Sequence, residues 1–172
     1  FNLAPRFSPD GSRYVYYSNS GGRYSIWLAG TQGLAKPQLI FKGEKSAQAE
    51  EFYYFRSALS WFPNNNRIAF AAKTATGDKI HILDVKKEKI VRTITIPELK
   101  AIYEADVSPD GLSLVLAAQK GVQADLFLYD LQTDKLTPLT NDSYDDTHPR
   151  FSPDGKYVAY DSERKTKKVD SR

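Results

Sequence analysis

The stretch RFSPDG at residues 6–11 returns letter for letter at residues 150–155. DVSPDG stands at residues 106–111, and a degraded copy, WFPNN, at residues 61–65. Their prolines, Pro9, Pro63, Pro109 and Pro153, are spaced by 54, 46 and 44 residues. A large apolar residue lies two positions before each proline (Phe7, Trp61, Val107, Phe151), and Gly11, Asn65, Gly111 and Gly155 lie two after. The apolar run that follows falls into columns. Tyr14, Ile68, Leu114 and Val158 form the first, Val15, Ala69, Val115 and Ala159 the second, and Tyr16, Phe70, Leu116 and Tyr160 the third. Self-similarity at a fixed period is the mark of a repeat architecture.

The quoted letters make a turn for stated reasons. Proline presets φ at the first central position, aspartate tolerates the bridge region, and glycine takes positive φ, often with a bulge that restores strand register. Asn65 replaces glycine because asparagine enters the left-handed region more readily than most residues. Pro9, Gly11, Pro63, Asn65, Pro109, Gly111, Pro153 and Gly155 are read as structural turn residues. Asp10, Asp110 and Asp154 are turn formers, since the turn already explains them without ligand or catalyst roles.

Each copy continues with a second apolar run (residues 25–29, 79–83 and 125–129) and a short final one (residues 37–41, 90–94 and 136–140). Runs of β-branched and aromatic residues cut by Pro, Gly, Asn and Asp read as strands. The unit is therefore four short strands in about 45 residues, the pattern of propeller blades. The expected fold is all-β: a partial propeller of about three and a half four-stranded antiparallel blades. Blades fall at about residues 3–42, 57–96 and 103–140, the first two strands of a fourth at about 147–162, and a basic tail at 163–172. Small residues at Ala69, Ala71, Ala117 and Ala159 let neighbouring sheets approach. The stretch PELKAIYEA, residues 97–105, reads either as strand or as one helical turn.

The segment DLFLYDLQTDKLTPLTNDSYDDTHPRFSPDGKYVAYDSER, residues 125–164, resembles the repeat of TolB-like β-propellers. In that repeat a strand ending in Tyr or Met plus Asp precedes Leu-Thr-Asn-Asp, then Pro, an aromatic, Ser-Pro-Asp-Gly and an apolar strand. The resemblance covers nearly the whole chain, with residues 19–31 and 43–56 the weakest parts. It implies a propeller of the kind that builds bacterial envelope proteins and the non-catalytic propellers of prolyl-oligopeptidase-like and tricorn-like peptidases. Family members close a ring of more blades than this chain carries, so the resemblance implies completion by other strands.

Composition narrows the function classes. Hydrophobic residues at 41% and charged residues at 26% are ordinary for a globular domain. A net charge of +3 does not point to nucleic acid, and the excess is partly the terminal RKTKKVDSR, read as a solvated tail. No apolar run approaches the roughly 18 residues of a membrane helix, so no membrane insertion is expected of this segment. The chain has no Cys, hence no thiolate metal site and no disulfide framework. It opens on Phe1 and has no Met, which reads as a processed or excised segment.

Catalytic signatures are absent: no Gly-x-Ser-x-Gly elbow, no His-Glu-x-x-His, no phosphate-binding glycine loop. No enzyme activity is assigned to the segment, and no cofactor. Chain reversal at each strand places the Ser-Pro-Asp-Gly turns at one end. The longer connections, residues 18–23, 73–78, 119–124, 43–56, 97–104 and 141–147, gather at the other, where binding sites tend to lie. The insertion GEKSAQAEEFYYFR, residues 43–56, holds four consecutive aromatics. Phe52, Tyr53, Tyr54 and Phe55 with Arg56 read either as a plug packing on the propeller or as a partner-binding patch.

The segment NDSYDDTHP crowds Asp142, Asp145 and Asp146 beside His148. These carboxylates are candidates for a hard cation, but lack calcium-loop spacing, and the default is a solvated acidic connection. His81 sits in the column of Trp27 and Phe127 and reads as a packed strand histidine. The expected function is a non-catalytic scaffold, periplasmic or in the cell envelope, whose partner is a protein or the remaining blades of the propeller. The alternatives are a peptidase's gating propeller, with a cytoplasmic location open, and, more weakly, a sugar- or ion-binding propeller. Open blade faces predict that residues 1–172 alone do not form a stable monomer.

Overall fold

The computed structural model describes residues 1–33, 36–43, 49–52 and 58–164. Three four-stranded antiparallel meanders follow one another along the chain, then a hairpin. The first is β1 (Asn2–Phe7), β2 (Arg13–Ser18), β3 (Ser25–Gly30) and β4 (Gln38–Phe41). The second is β5 (Ser60–Trp61), β6 (Arg67–Thr74), β7 (Gly77–Asp84) and β8 (Lys89–Ile94). The third is β9 (Ala101–Val107), β10 (Ser113–Gln119), β11 (Ala124–Asp130) and β12 (Leu136–Pro138), and β13 (Asp146–Phe151) with β14 (Val158–Ser162) makes the hairpin.

Side chains alternate across each sheet, so one strand feeds two cores. In β6, Ile68, Phe70 and Ala72 meet Val15, Tyr17, Ile26 and Ile40 of the first sheet. Ala69 and Ala71, with Ile80 and Ile82 of β7, meet Leu114, Leu116 and Phe127 of the third. Burying a large apolar side chain contributes roughly 1.5–3 kcal/mol, so stacking of sheets is the main source of stability. Alanine at the centre of β6 lets the second and third sheets close over it.

Each Ser-Pro-Asp-Gly segment is a hydrogen-bonded unit. Gly11, Gly111 and Gly155 donate their N–H to Ser8, Ser108 and Ser152 carbonyls at 2.8, 2.8 and 2.9 Å. The serine hydroxyls donate to Asp10, Asp110 and Asp154 at 2.6 Å. The same carboxylates accept the N–H of Ser12, Leu112 and Lys156 at 3.0, 2.9 and 3.1 Å. Asn65 stands in for glycine at φ 58°, and Asn64 Oδ1 accepts the Asn66 N–H at 3.0 Å where the other copies use aspartate. Glycine has a second use here. A Cβ on Gly111 would lie 3.1 Å from Pro63 Cδ, and one on Gly155 would lie 3.6 Å from Pro109 Cδ, so these prolines pack on the glycine of the following turn.

One ambiguous connection takes its strand reading, and one expected as a loop does not form one. Residues 97–98 form a turn closed by Leu99 N–H to the Ile96 carbonyl at 3.0 Å, and β9 starts at Ala101, so no helical turn forms. Residues 73–78, expected as a loop, are mostly strand: Lys73 pairs with Asp78 and Thr74 with Gly77 across a two-residue turn. Gly77 takes φ 104°, and the Thr74 hydroxyl donates to its carbonyl at 2.7 Å.

The outer face of the first sheet is open. Phe7 is 67% exposed, whereas Trp61 and Val107 at the same place in the second and third sheets are 8% and 7% exposed, each beneath its preceding sheet. Among the described residues β14 pairs only with β13, so the hairpin is half of a four-stranded unit.

Candidate functional site

The innermost strands β1, β5, β9 and β13 carry a polar residue immediately before the aromatic or apolar anchor: Arg6, Ser60, Asp106 and Arg150. These positions tie neighbouring sheets together. Ser60 Oγ donates to Asp106 Oδ1 at 2.8 Å and accepts the Val107 N–H at 3.0 Å. Asp106 Oδ2 accepts the Phe151 N–H at 2.9 Å. An innermost strand has one ladder neighbour, so half of its N–H groups need other acceptors, and the preceding sheet supplies them. At the first of these seams the roles shift, with Trp61 Nε1 donating to the Arg6 carbonyl at 3.0 Å.

Beside this column lies Glu104, whose side chain is 1% exposed. Arg150 Nη1 donates to its Oε2 at 3.1 Å, and His148 Nε2 lies 3.4 Å from its Oε1. Burial pushes the Glu104 carboxyl up from its ordinary value, with Arg150 and then His148 pulling it back. His148 Nδ1 lies 3.1 Å from Asp161 Oδ2. A cavity of about 380 Å³ opens here between the third sheet and the hairpin, lined by Tyr103, Glu104, Asp145, His148, Asp161 and Glu163 among others. Its lining residues come from strand ends and connections on the side away from the Ser-Pro-Asp-Gly turns.

The insertion resolves one way for its described part. Glu50 N–H donates to the Lys73 carbonyl at 2.8 Å, and Lys73 N–H to the Glu51 carbonyl at 2.9 Å, so the segment pairs with β6 beyond the short β5. Phe52 is 1% exposed, with ring centroids 5.0 Å from Tyr17, 5.9 Å from Phe70 and 6.2 Å from Phe41. As a partner contact Phe52 is corrected: its ring is enclosed between the first and second sheets and offers nothing to solvent. Tyr53, Tyr54, Phe55 and Arg56 lie outside the described residues, as does most of the basic tail.

The acidic connection is likewise not all solvated. Asp146 is fully buried, and Arg164 binds it with both terminal nitrogens at 2.6 and 2.9 Å. The same guanidinium reaches Asp142 through Nε at 3.0 Å and lies over the Tyr144 and Tyr160 rings. Asp145 turns elsewhere and accepts the Ala124 N–H at 2.8 Å. The three carboxylates therefore do not converge as a cation cage; two hold an arginine and one holds backbone. Among the described residues no group of three metal-ligating side chains comes together. His81 is 2% exposed, with Nδ1 3.0 Å from Thr93 Oγ1.

Sequence reading passed over Glu104, Asp106 and Arg150. One signal was available: the residue before the anchor is polar in all four copies, at a place where a strand edge faces the ring's centre.

No family model matches the chain. Among curated proteins it is similar to dipeptidyl-peptidase 5 of Porphyromonas endodontalis, 38% identical across 31% of this chain and 9% of that protein. It is also similar to an uncharacterized peptidase of Bacillus subtilis, YuxL, 24% identical across 91% of this chain and 21% of that protein. The chain thus spans about a tenth and a fifth of the lengths of these relatives. Among solved structures it superposes on TolB from Acinetobacter baumannii with a TM-score of 0.74 at 23% identity, covering 93% of this chain and 37% of that one. Putative TolB from Agrobacterium tumefaciens gives 0.74 at 21% identity, covering 90% and 51%. Kuenenia stuttgartiensis hydrazine synthase gives 0.67 at 14% identity, covering 91% and 48%. The three stacked meanders, the half-sheet and these superpositions agree: the chain has a TolB-like β-propeller fold, as three four-stranded blades and the first two strands of a fourth.

Proposed function

We propose that this chain is a non-catalytic propeller module of a bacterial cell-envelope protein that binds a protein partner through its loop-rich end. The observation that carries the reading is the contrast between the two ends. At the Ser-Pro-Asp-Gly end, the serine and aspartate side chains are consumed within the turns. At the opposite end lies the open cavity with charged groups from both of its walls. The envelope location rests on the resemblance of the repeat to those of envelope propellers.

A photo-crosslinking residue at Val122, 81% exposed at the loop-rich end, tests this against one at Tyr157, 71% exposed at the turn end. In the full-length protein, a discrete protein adduct from the Val122 position, in the envelope fraction, supports the reading. Adducts confined to Tyr157, no adduct, or fractionation with cytosol defeats it.

The two peptidase-named relatives favour a second reading, a gating propeller whose catalytic domain lies outside these residues. Labelling of the full-length protein by a fluorophosphonate, at a serine outside residues 1–172, would establish that reading. An unlabelled protein would exclude it.

A further inference from the structure

His148 occupies a place that its backbone does not reserve for histidine. It has φ 54° and precedes Pro149, at a register shift in the β13–β14 pairing. Ala4 has φ 50° and precedes Pro5 at the matching shift in β1–β2. The bulge therefore forms equally with a methyl group, and the imidazole is there for its contacts. Those contacts are two carboxylates: Glu104 of the third blade at 3.4 Å on one ring nitrogen, and Asp161 of β14 at 3.1 Å on the other. A neutral imidazole has one N–H and one lone pair, so it satisfies one carboxylate and turns a lone pair on the other; an imidazolium donates to both.

We infer that His148 is a proton-operated latch between the third blade and the β13–β14 hairpin, closing the wall of the 380 Å³ cavity when protonated and loosening it when neutral. The ring faces charged groups from several elements. Glu104 comes from β9, with Tyr103 beside it on the cavity wall, and Asp161 from β14. Asp145 and Glu163 line the same cavity from the segments flanking the hairpin. Two cations oppose them: Arg150 of β13, bound to the far oxygen of Glu104, and Arg6 of β1, whose charge also acts on Glu104. The two-sided contact is available to the imidazolium and not to the neutral ring. Glu104 sets the low-pH limit of the latch: burial raises its carboxyl, and once protonated it no longer presents a carboxylate to the ring.

Amide hydrogen exchange along β13 in the full-length protein, corrected for intrinsic rates, reads the latch directly. Protection at pH 5.5 should exceed that at pH 8, where the neutral ring can no longer present an N–H to both carboxylates. His148→Ala, which Ala4 shows the bulge accepts, should hold protection at the lower level at both pH values. Asp161→Asn, at a side chain 79% exposed, should shift the loss of protection to lower pH without unfolding the hairpin. Equal protection at both pH values in the wild type overturns the inference. So does a pH response that survives His148→Ala, or an Asp161→Asn profile identical to wild type.

Discussion

Gly43 and Phe52 should behave as one unit in a double-mutant cycle. A Cβ on Gly43 would lie 2.0 and 2.2 Å from Phe52 ring carbons and 2.8 Å from the Tyr24 carbonyl oxygen. The first two distances cannot be relieved by a small shift, so Gly43→Ala must drive the ring from its slot. That slot is closed by Tyr17, Phe41 and Phe70, and aromatic pairs of this kind contribute about 0.5–1.5 kcal/mol beyond their area. Phe52→Ala should cost about 4 kcal/mol, in the range for emptying a buried aromatic site. Gly43→Ala should cost about 3 kcal/mol through the displaced ring. With the ring gone the added methyl has room on that side, and only the Tyr24 carbonyl remains tight. The double variant should therefore cost about 5 kcal/mol rather than the additive 7, a coupling of about 2 kcal/mol. Guanidinium unfolding of the full-length protein, followed by Trp fluorescence and far-UV circular dichroism, measures all four corners. Additive costs, or a Gly43→Ala variant as stable as wild type, would refute the packing of the insertion described above.

Gly111→Ala should cost more than Gly11→Ala, about 2 against about 1 kcal/mol, because both carry positive φ but only Gly111 also faces a neighbouring proline; equal costs by the same unfolding assay would contradict the stacked turns. Arg164→Ala strands the buried Asp146 carboxylate and should destabilise the β13–β14 hairpin, seen as lost amide protection there. The Asp10 carboxyl is held down to about 2, first by the Ser8 hydroxyl and then by Ser12, and Asp110 and Asp154 are lowered by the matching serines. Their contribution is present above the ordinary carboxylate range and lost as pH falls through the lowered values, so Asp10→Asn should flatten the stability profile below about pH 4. Residues 1–172 alone should self-associate through the face that leaves Phe7 67% exposed, and a sharp monomer in sedimentation would count against that.

The fold was readable because its information is local. Ser-Pro-Asp-Gly fixes φ at two positions and satisfies its own polar groups within six residues, so each copy announces a turn wherever it stands. Short runs of β-branched and aromatic residues cut by turn formers did the same for the strands. Both signals weakened only where local chemistry permits two answers, at residues 97–105, and where the β6–β7 hairpin runs further than its polar residues suggest.

The candidate site was not readable in this way. Glu104 and His148 stand 44 residues apart, and what joins them is the lateral stacking of two blades and a bulge that turns one side chain into the seam. Asp146 looked like one member of a solvated acidic run because Arg164, its partner, lies 18 residues onward. Phe52 looked like one of four interchangeable aromatics until the space left by the missing side chain of Gly43 singled it out. The sequence alone determined the turn, the strand, the repeat and their count, since those follow from backbone preference and short apolar runs over a few residues. Only the tertiary structure decided which charges are buried, which are paired and which aromatic is enclosed, because burial and pairing are properties of surfaces that meet after the strands have formed.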